Sequence, residues 1–140
     1  RRPAFVPAER PVYVPFSVNV FIPAETTREH VYYLAALLNS QLLWDWFRRH
    51  AKHRGVGLEI NGNVLARAPI RTIDFTKQSE AARHDRVVEL VGEMLEVSDQ
   101  LRSGQSGTLA LRETLAARQT EVDAEVDRTV EELYGGAIGD

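Results

Sequence analysis

The sequence predicts an α+β domain: a small β-containing half with one buried helix, followed by an antiparallel two-helix hairpin. Three observations predict it. Pro3, Pro7, Pro11, Pro15 and Pro23 keep the opening stretch out of helix, because proline lacks the amide hydrogen and clashes with the preceding turn. A wide apolar stripe at helical spacing follows. Two heptad-like runs, separated by Ser103-Gly104-Gln105-Ser106-Gly107, then close the chain. The division falls into residues 1–77, a β-containing half, residues 78–135, the hairpin, and a tail at residues 136–140.

The elements follow in order. Val12-Tyr13-Val14 and Phe16–Ile22 are rich in β-branched and aromatic residues, and Val18, Val20 and Ile22 alternate as a strand does. Pro15 marks an edge or bulge. Thr26 or Thr27 caps a helix with Glu29 in its first turn, and that helix runs to Arg49 or His50. Val31, Leu34, Leu38 and Leu42 form one of its apolar lines, and Tyr33, Leu37, Trp44 and Phe47 form another. Asn39-Ser40-Gln41 interrupts this apolar run, with side chains placed to satisfy neighbouring backbone. Of the rings, Trp44 and Phe47 belong to the core, and Trp46, off the main stripe, is partly exposed.

Lys52–Gly57 reads as a basic, glycine-containing loop, and Leu58–Ile60 as a short strand. Asn61-Gly62-Asn63 is a turn signal, with Asn63 capping a short helical turn that ends at Pro69. Ile70–Phe75 is extended again. Thr76 or Ser79 caps the first hairpin helix, whose seam is His84, Val87, Val91, Met94, Ser98 and Leu101. The second starts after Thr108, with Leu115, Gln119, Val122, Val126, Thr129 and Leu133 on its seam.

Composition limits the chemistry. A chain of 140 residues buries a core without a metal or disulfide staple. Its lack of cysteine excludes a disulfide framework, a thiolate zinc site and a cysteine nucleophile. No apolar run reaches the roughly eighteen residues that a membrane span needs, and the first residues carry no signal-peptide core. A cytoplasmic location is the expectation. The net charge of −3 hides an asymmetry. Through Lys77 there are eleven Lys/Arg against six Asp/Glu, and beyond it six against fourteen. A basic half followed by an acidic one points to a polyanion facing the first half.

The basic charge concentrates in Arg48-Arg49-His50-Ala51-Lys52-His53-Arg54. The helix dipole favours Arg48 and Arg49 at a helix C-terminus, but it does not account for Lys52 and Arg54 beyond it. Gly55 and Gly57 let backbone amides approach a phosphate. Lys and Arg neutralise phosphates, Arg pairs with guanine, and Asn pairs with adenine. The candidate DNA-binding residues are therefore Arg48, Arg49, His50, Lys52, His53, Arg54, Asn61, Asn63, Arg67 and Arg71. His50 and His53 lack a third ligand at helical spacing, so a phosphate-facing role is favoured over a metal site. A hydrolase built on this pair is the third-ranked reading. There is no phosphate-cradling glycine loop, no Ser/His/Asp arrangement and no carboxylate cluster with metal spacing. The chain reads as a binding module without catalysis, its rival being a protein-interaction or oligomerisation module built on the hairpin.

Five segments in a fixed order resemble one family. Tyr33–Leu43 is similar to the "YLLALLNSKLL" helix of TaqI-like C-terminal specificity domains. These are target recognition domains of type IIG restriction–modification enzymes and adenine-specific DNA methyltransferases. Arg54–Asn63 resembles the segment before the family's "LPI" turn, and Leu65–Phe75 the turn and its trailing strand. Ala82–Leu95 resembles the "KHDxIVxLVExML" helix. Arg118–Asp127 with Val130–Gly135 resembles the closing "RQIxxxDxxIDxLVYELYGL". Ala68 stands where the family has Leu, and Gly136 where it continues with Leu. The resemblance implies double-stranded DNA as partner and a methyltransferase domain in cis or in trans. S-adenosylmethionine would be bound by that domain and no cofactor by this fragment. With no Pro-Pro dipeptide, the catalytic motif of such a domain is missing here, so the chain is either an excised fragment or a stand-alone specificity piece. An apolar strip on the hairpin, left bare without that domain, implies self-association as a homodimer.

Overall fold

A computed structural model of the chain describes residues 4–8, 10–15, 18–55, 57–103 and 108–136. The fold is α+β. In order it runs α1 (Val31–Asn39), α2 (Gln41–His50), β1 (Lys52–Arg54), β2 (Gly57–Glu59), α3 (Gly62–Leu65), α4 (Gln78–Arg102) and α5 (Leu109–Tyr134). β1 and β2 form a two-stranded antiparallel hairpin in the register Lys52↔Glu59, His53↔Leu58, Arg54↔Gly57. Gly55 takes φ +60° in its turn, a conformation that glycine adopts without steric cost.

The single helix read across residues 26–50 is two helices. Ser40 is extended, with ψ 154°, and serves both neighbours. Its hydroxyl donates to the Leu37 carbonyl at 2.7 Å and accepts from the Leu43 amide at 3.2 Å. It therefore closes α1 and caps α2 with one oxygen, while the Gln41 amide donates to Asp127 of α5 at 2.8 Å. Two of the polar triplet at 39–41 serve backbone: Ser40 through its hydroxyl, and Asn39, which donates to the Ala35 carbonyl and binds the Phe5 peptide at both its amide and its carbonyl; the Gln41 side chain donates instead to the Asp45 carboxylate. The N-cap of α1 is His30, whose Nδ1 accepts from the Tyr32 amide, and not Thr26 or Thr27. Glu29 instead reaches the Ile73 amide.

Other local expectations shift in the same way. Residues 18–22 form no strand, and Phe16 and Ser17 lie outside the described residues. The alternation is present, but no partner strand is: Val18, Val20, Phe21 and Ile22 are exposed, and Val12-Tyr13-Val14 likewise. The basic segment expected as a loop is itself β1, and the strand expected at 58–60 begins one residue earlier. Asn61, not Asn63, caps α3, accepting from the Val64 amide at 3.2 Å. Lys77 occupies the N-cap of α4 without a side-chain capping bond, so neither Thr76 nor Ser79 caps it. Trp46 is buried at 6% exposure and Trp44 is only half-buried, the reverse of the expected assignment. The break at Ser40 rotates α2 relative to α1, so one stripe cannot be projected through both.

Two core clusters result. The larger joins Tyr33, Leu34 and Leu37 of α1 to Val87, Leu90 and Val91 of α4 and Val122, Val126, Val130 and Leu133 of α5, with Ile73 between. Its members come from both sides of residue 77/78. The smaller gathers Leu38, Leu43, Trp46, Phe47, Ala51 and Val64, with Phe5, Leu58, Ile60 and Leu65 packed on it. The hairpin seam is buried within this one chain at Val87, Val91, Val122, Val126 and Leu133, so covering it requires no second copy. Two polar seam residues meet, Gln119 donating to Ser98 at 3.0 Å, and Thr129 bonds back to the Glu125 carbonyl. Such a pair fixes the register of two helices that valines alone would leave freer to slide. His84 is buried between Tyr33 and Phe75 and accepts the His30 amide on Nε2. Gly135, at φ +69°, ends α5 in a left-handed cap, with the Gly136 amide bonded to the Glu131 carbonyl.

Because one buried hydroxyl caps two helix ends, Ser40→Ala is expected to destabilise the chain by about 2 kcal/mol, near the top of the range for cap removal. Denaturant unfolding checks this, and an unchanged midpoint would show that the break needs no cap.

Candidate nucleic-acid interface

Nine of the ten candidate residues lie on or directly beside α2, the β-hairpin and α3, which are mounted on the smaller core: seven within these elements, Asn61 at the N-cap of α3 and Arg67 just past its end. Leu43, Trp46 and Phe47 anchor α2 in it, Leu58 and Ile60 hold the β-hairpin, and Val64 and Leu65 hold α3. Trp46 meets Phe47 edge-on at 5.5 Å, and Phe5 stacks on Phe47 at 6.1 Å. The cations thus sit on packed elements. Packing of this kind keeps the backbone beneath a charge in place when a ligand arrives.

Arg48, Arg49 and His50 fill the last turn of α2, where the dipole favours cations. Arg48 lies 3.6 Å from Asp45, both well exposed, so water competes effectively with the pair. Arg49 Nε donates to the Asp45 carbonyl. The His50 ring lies parallel to the Trp46 indole at 4.2 Å, with Nδ1 2.8 Å from the Trp46 carbonyl. Lys52, His53 and Arg54 are exposed along β1. Lys52 pairs in register with Glu59, and Arg54 lies 3.8 Å from the Glu59 carboxylate. Asn61 is half-buried, its side-chain oxygen engaged as the α3 cap. Asn63 and Arg67 are exposed on and after α3, with Arg67 Nε near the Asn63 carbonyl at 3.4 Å. Beside this region, Asn19 donates to the Ile60 carbonyl and brings the extended N-terminal segment against β2.

Arg71 has a different place and a different task. Its Nε donates to the Leu133 carbonyl, one terminal nitrogen to the Thr72 carbonyl at 2.8 Å, and the other to Glu80 at 3.0 Å. Its amide donates to the Tyr134 hydroxyl. It ties the connector to the start of α4 and the end of α5. The sequence signal that placed it with the others was charge alone, and charge does not distinguish a clamp from a ligand contact. The part that two residues play in the site escaped the sequence reading. Trp46 supports His50, a relation visible only as an i, i+4 spacing, and Phe5 closes the core beneath α2.

Glu80 accepts from the Asp74 amide, Lys77 and Arg71. The Asp74 amide, with Lys77 and Arg71 beside it, holds its carboxyl below the usual carboxylate value of 4.5. The folded value is the depressed one, so Glu80 contributes stability above its unfolded value and loses that contribution as pH falls through its folded value. Glu80→Gln is therefore expected to flatten the acid limb of a melting-temperature profile below about pH 4.5 while lowering stability at neutral pH. An acid limb identical to the parent's would place the acid sensitivity elsewhere.

Among the described residues, no three His, Asp or Glu side chains gather as a metal ion would require. No helix among them is long and apolar enough to cross a membrane. No protein-family model matches the chain, and no solved structure does. Two curated proteins do match. The type II methyltransferase M.HindII of Haemophilus influenzae is 30% identical over 84 residues, 60% of this chain and 16% of that protein. The type II methyltransferase M.HincII of the same species is 29% identical over 84 residues, 60% of this chain and 17% of its own length. The match therefore spans about one sixth of either relative, and the chain is distantly similar to part of a type II methyltransferase.

Proposed function

We propose that this chain is a DNA target-recognition module belonging to an adenine-specific DNA methyltransferase or a type IIG restriction–modification enzyme, with no catalysis of its own. The observation that carries the reading is the mounting of Arg48, Arg49, Lys52, Arg54 and Arg67 on three elements that share one small core. Distant similarity to part of two type II methyltransferases supports the same reading. Lys52 and the arginines of α2 neutralise phosphates and set the register of the module on the duplex. Residues of the β-hairpin and α3 reach base edges. The acidic hairpin α4–α5 is repelled by DNA and docks on the methyltransferase domain, which binds S-adenosylmethionine and carries out the transfer. The 1–77 half reads DNA, and residues 78–135 connect that reading to the catalytic domain.

Fluorescence anisotropy of the chain with duplex DNA, over a salt series, tests the reading. Affinity is expected to fall linearly on a log–log plot, with a slope of about −0.9 for each phosphate neutralised. Lys52→Ala is expected to weaken binding alike on all sequences and to reduce the slope by about 0.9. Absence of binding at low salt, or a slope that Lys52→Ala leaves unchanged, would count against phosphate contact through β1.

A further inference from the structure

We propose that His50 is a base-reading residue, accepting a hydrogen bond on Nε2 from an exocyclic amine of DNA, adenine N6 or cytosine N4. The inference deepens the DNA reading given above and rests on it. Its ground is the way His50 is held. Nδ1 lies 2.8 Å from the Trp46 carbonyl, and a carbonyl oxygen can only accept, so Nδ1 carries the hydrogen. In the neutral ring the lone pair is therefore on Nε2, which has no partner among the described residues. The ring is also immobilised. It lies at 13° to the Trp46 indole at 4.2 Å, and Trp46 is itself buried against Phe47. Tautomer and orientation are both set before any ligand arrives, which lowers the entropic cost of making the bond.

The neighbours of His50 give this acceptor its importance. Arg48, Arg49, Lys52, Arg54 and Arg67 carry donors only. Those side chains bind phosphate oxygens and the O6 and N7 acceptors of guanine but cannot receive an amine hydrogen, and the neighbouring carboxylates, Asp45 and Glu59, face Arg48 at 3.6 Å and Arg54 at 3.8 Å. Adenine and cytosine each present that amine in the major groove. Asn61, which could supply an acceptor, has its side-chain oxygen engaged by the Val64 amide. His53 and Asn63 stand exposed, without a contact that orients them as the Trp46 stack orients His50. His50 is thus an acceptor that the Trp46 stack orients in advance among these cations, and it supplies discrimination more than affinity.

The test uses the full 140-residue chain and a pool of DNA duplexes randomised over a central window, with the bound fraction sequenced. His50→Phe keeps a ring on Trp46 and removes the acceptor, whereas His50→Gln keeps an acceptor without the ring. His50→Phe is expected to lose about tenfold in preference at one base pair, where the parent favours adenine or cytosine on a fixed strand over the reversed pair, thymine or guanine on that strand. The other positions and the salt slope should stay as they are, and His50→Gln should retain part of the preference. A uniform loss of affinity on all sequences would identify His50 as a phosphate contact and overturn the proposal. An unchanged preference in His50→Phe would overturn it too. If the parent chain binds no duplex in the pool, the DNA reading itself falls, an outcome distinct from either of these.

Discussion

An extended connector crosses the core with no sheet to receive it, and the rest of the molecule is arranged around that constraint. Residues 69–74 take no strand partner, so their peptide groups must find side chains or remain unpaired in a buried setting. Tyr134 donates to the Pro69 carbonyl at 2.6 Å and accepts from the Arg71 amide at 3.0 Å. Tyr33 donates to the Arg71 carbonyl, Glu29 takes the Ile73 amide, and Glu80 takes the Asp74 amide. Burial pushes both phenols above their ordinary value, which keeps them as O–H donors, the form that these carbonyls require. Four side chains, Glu29 ahead of α1, Tyr33 of α1, Glu80 of α4 and Tyr134 of α5, bond to one short stretch of backbone, and the relative placement of α1, α4 and α5 follows from it.

The basic surface rests on a separate core cluster. The larger core holds the helices together, and the smaller one holds α2, the β-hairpin and α3. Ile70 and Tyr134 pack against both. The charges of the basic segment can therefore be altered singly without touching the bonds that organise the fold. Arg71 is the exception, since its guanidinium is one of those bonds. A cation with three side-chain hydrogen bonds to protein groups and a cation exposed on a strand look alike in composition, yet they answer mutation in opposite ways.

Much of this was legible in the residues. The start of α5 after Thr108 and its valine seam came directly from spacing, because a heptad-like repeat leaves few alternatives; residues 104–107 of the Gly/Ser break lie outside the described residues. The α+β class and the basic segment were legible as well. What was not legible depended on partners distant in sequence. Residues 18–22 have the alternation of a strand, but pairing needs a second strand that no local pattern reports. Ser40 could be seen to interrupt the apolar run, yet whether a serine bends a helix or ends it depends on what receives the freed amides, and the Gln41 amide goes to Asp127, eighty-six positions further on. The misassigned tryptophans follow from that break, since a stripe drawn through residues 31–50 carries the wrong rotation past it. The caps were displaced for a related reason: several Ser, Thr and Asn side chains compete for each helix start, and burial of the flanking residues decides between them.

The bonds of Tyr134 also bear on the order in which the chain acquires its shape. Its partners, Pro69 and Arg71, lie sixty-five and sixty-three positions earlier. During synthesis from the N-terminus, α1, the β-hairpin and α4 are all available before α5 is, but the Pro69 carbonyl and the Arg71 amide have no counterpart until Tyr134 emerges. Until then the larger core also lacks Val122, Val126, Val130 and Leu133, one full side of its lining. Closure is consequently a late event of long loop length, slow relative to helix formation and coincident with completion of the last helix. A nascent or truncated chain ending before Leu133 carries a formed basic segment on an open body, a state that chaperones and proteases recognise by its uncovered valines and leucines.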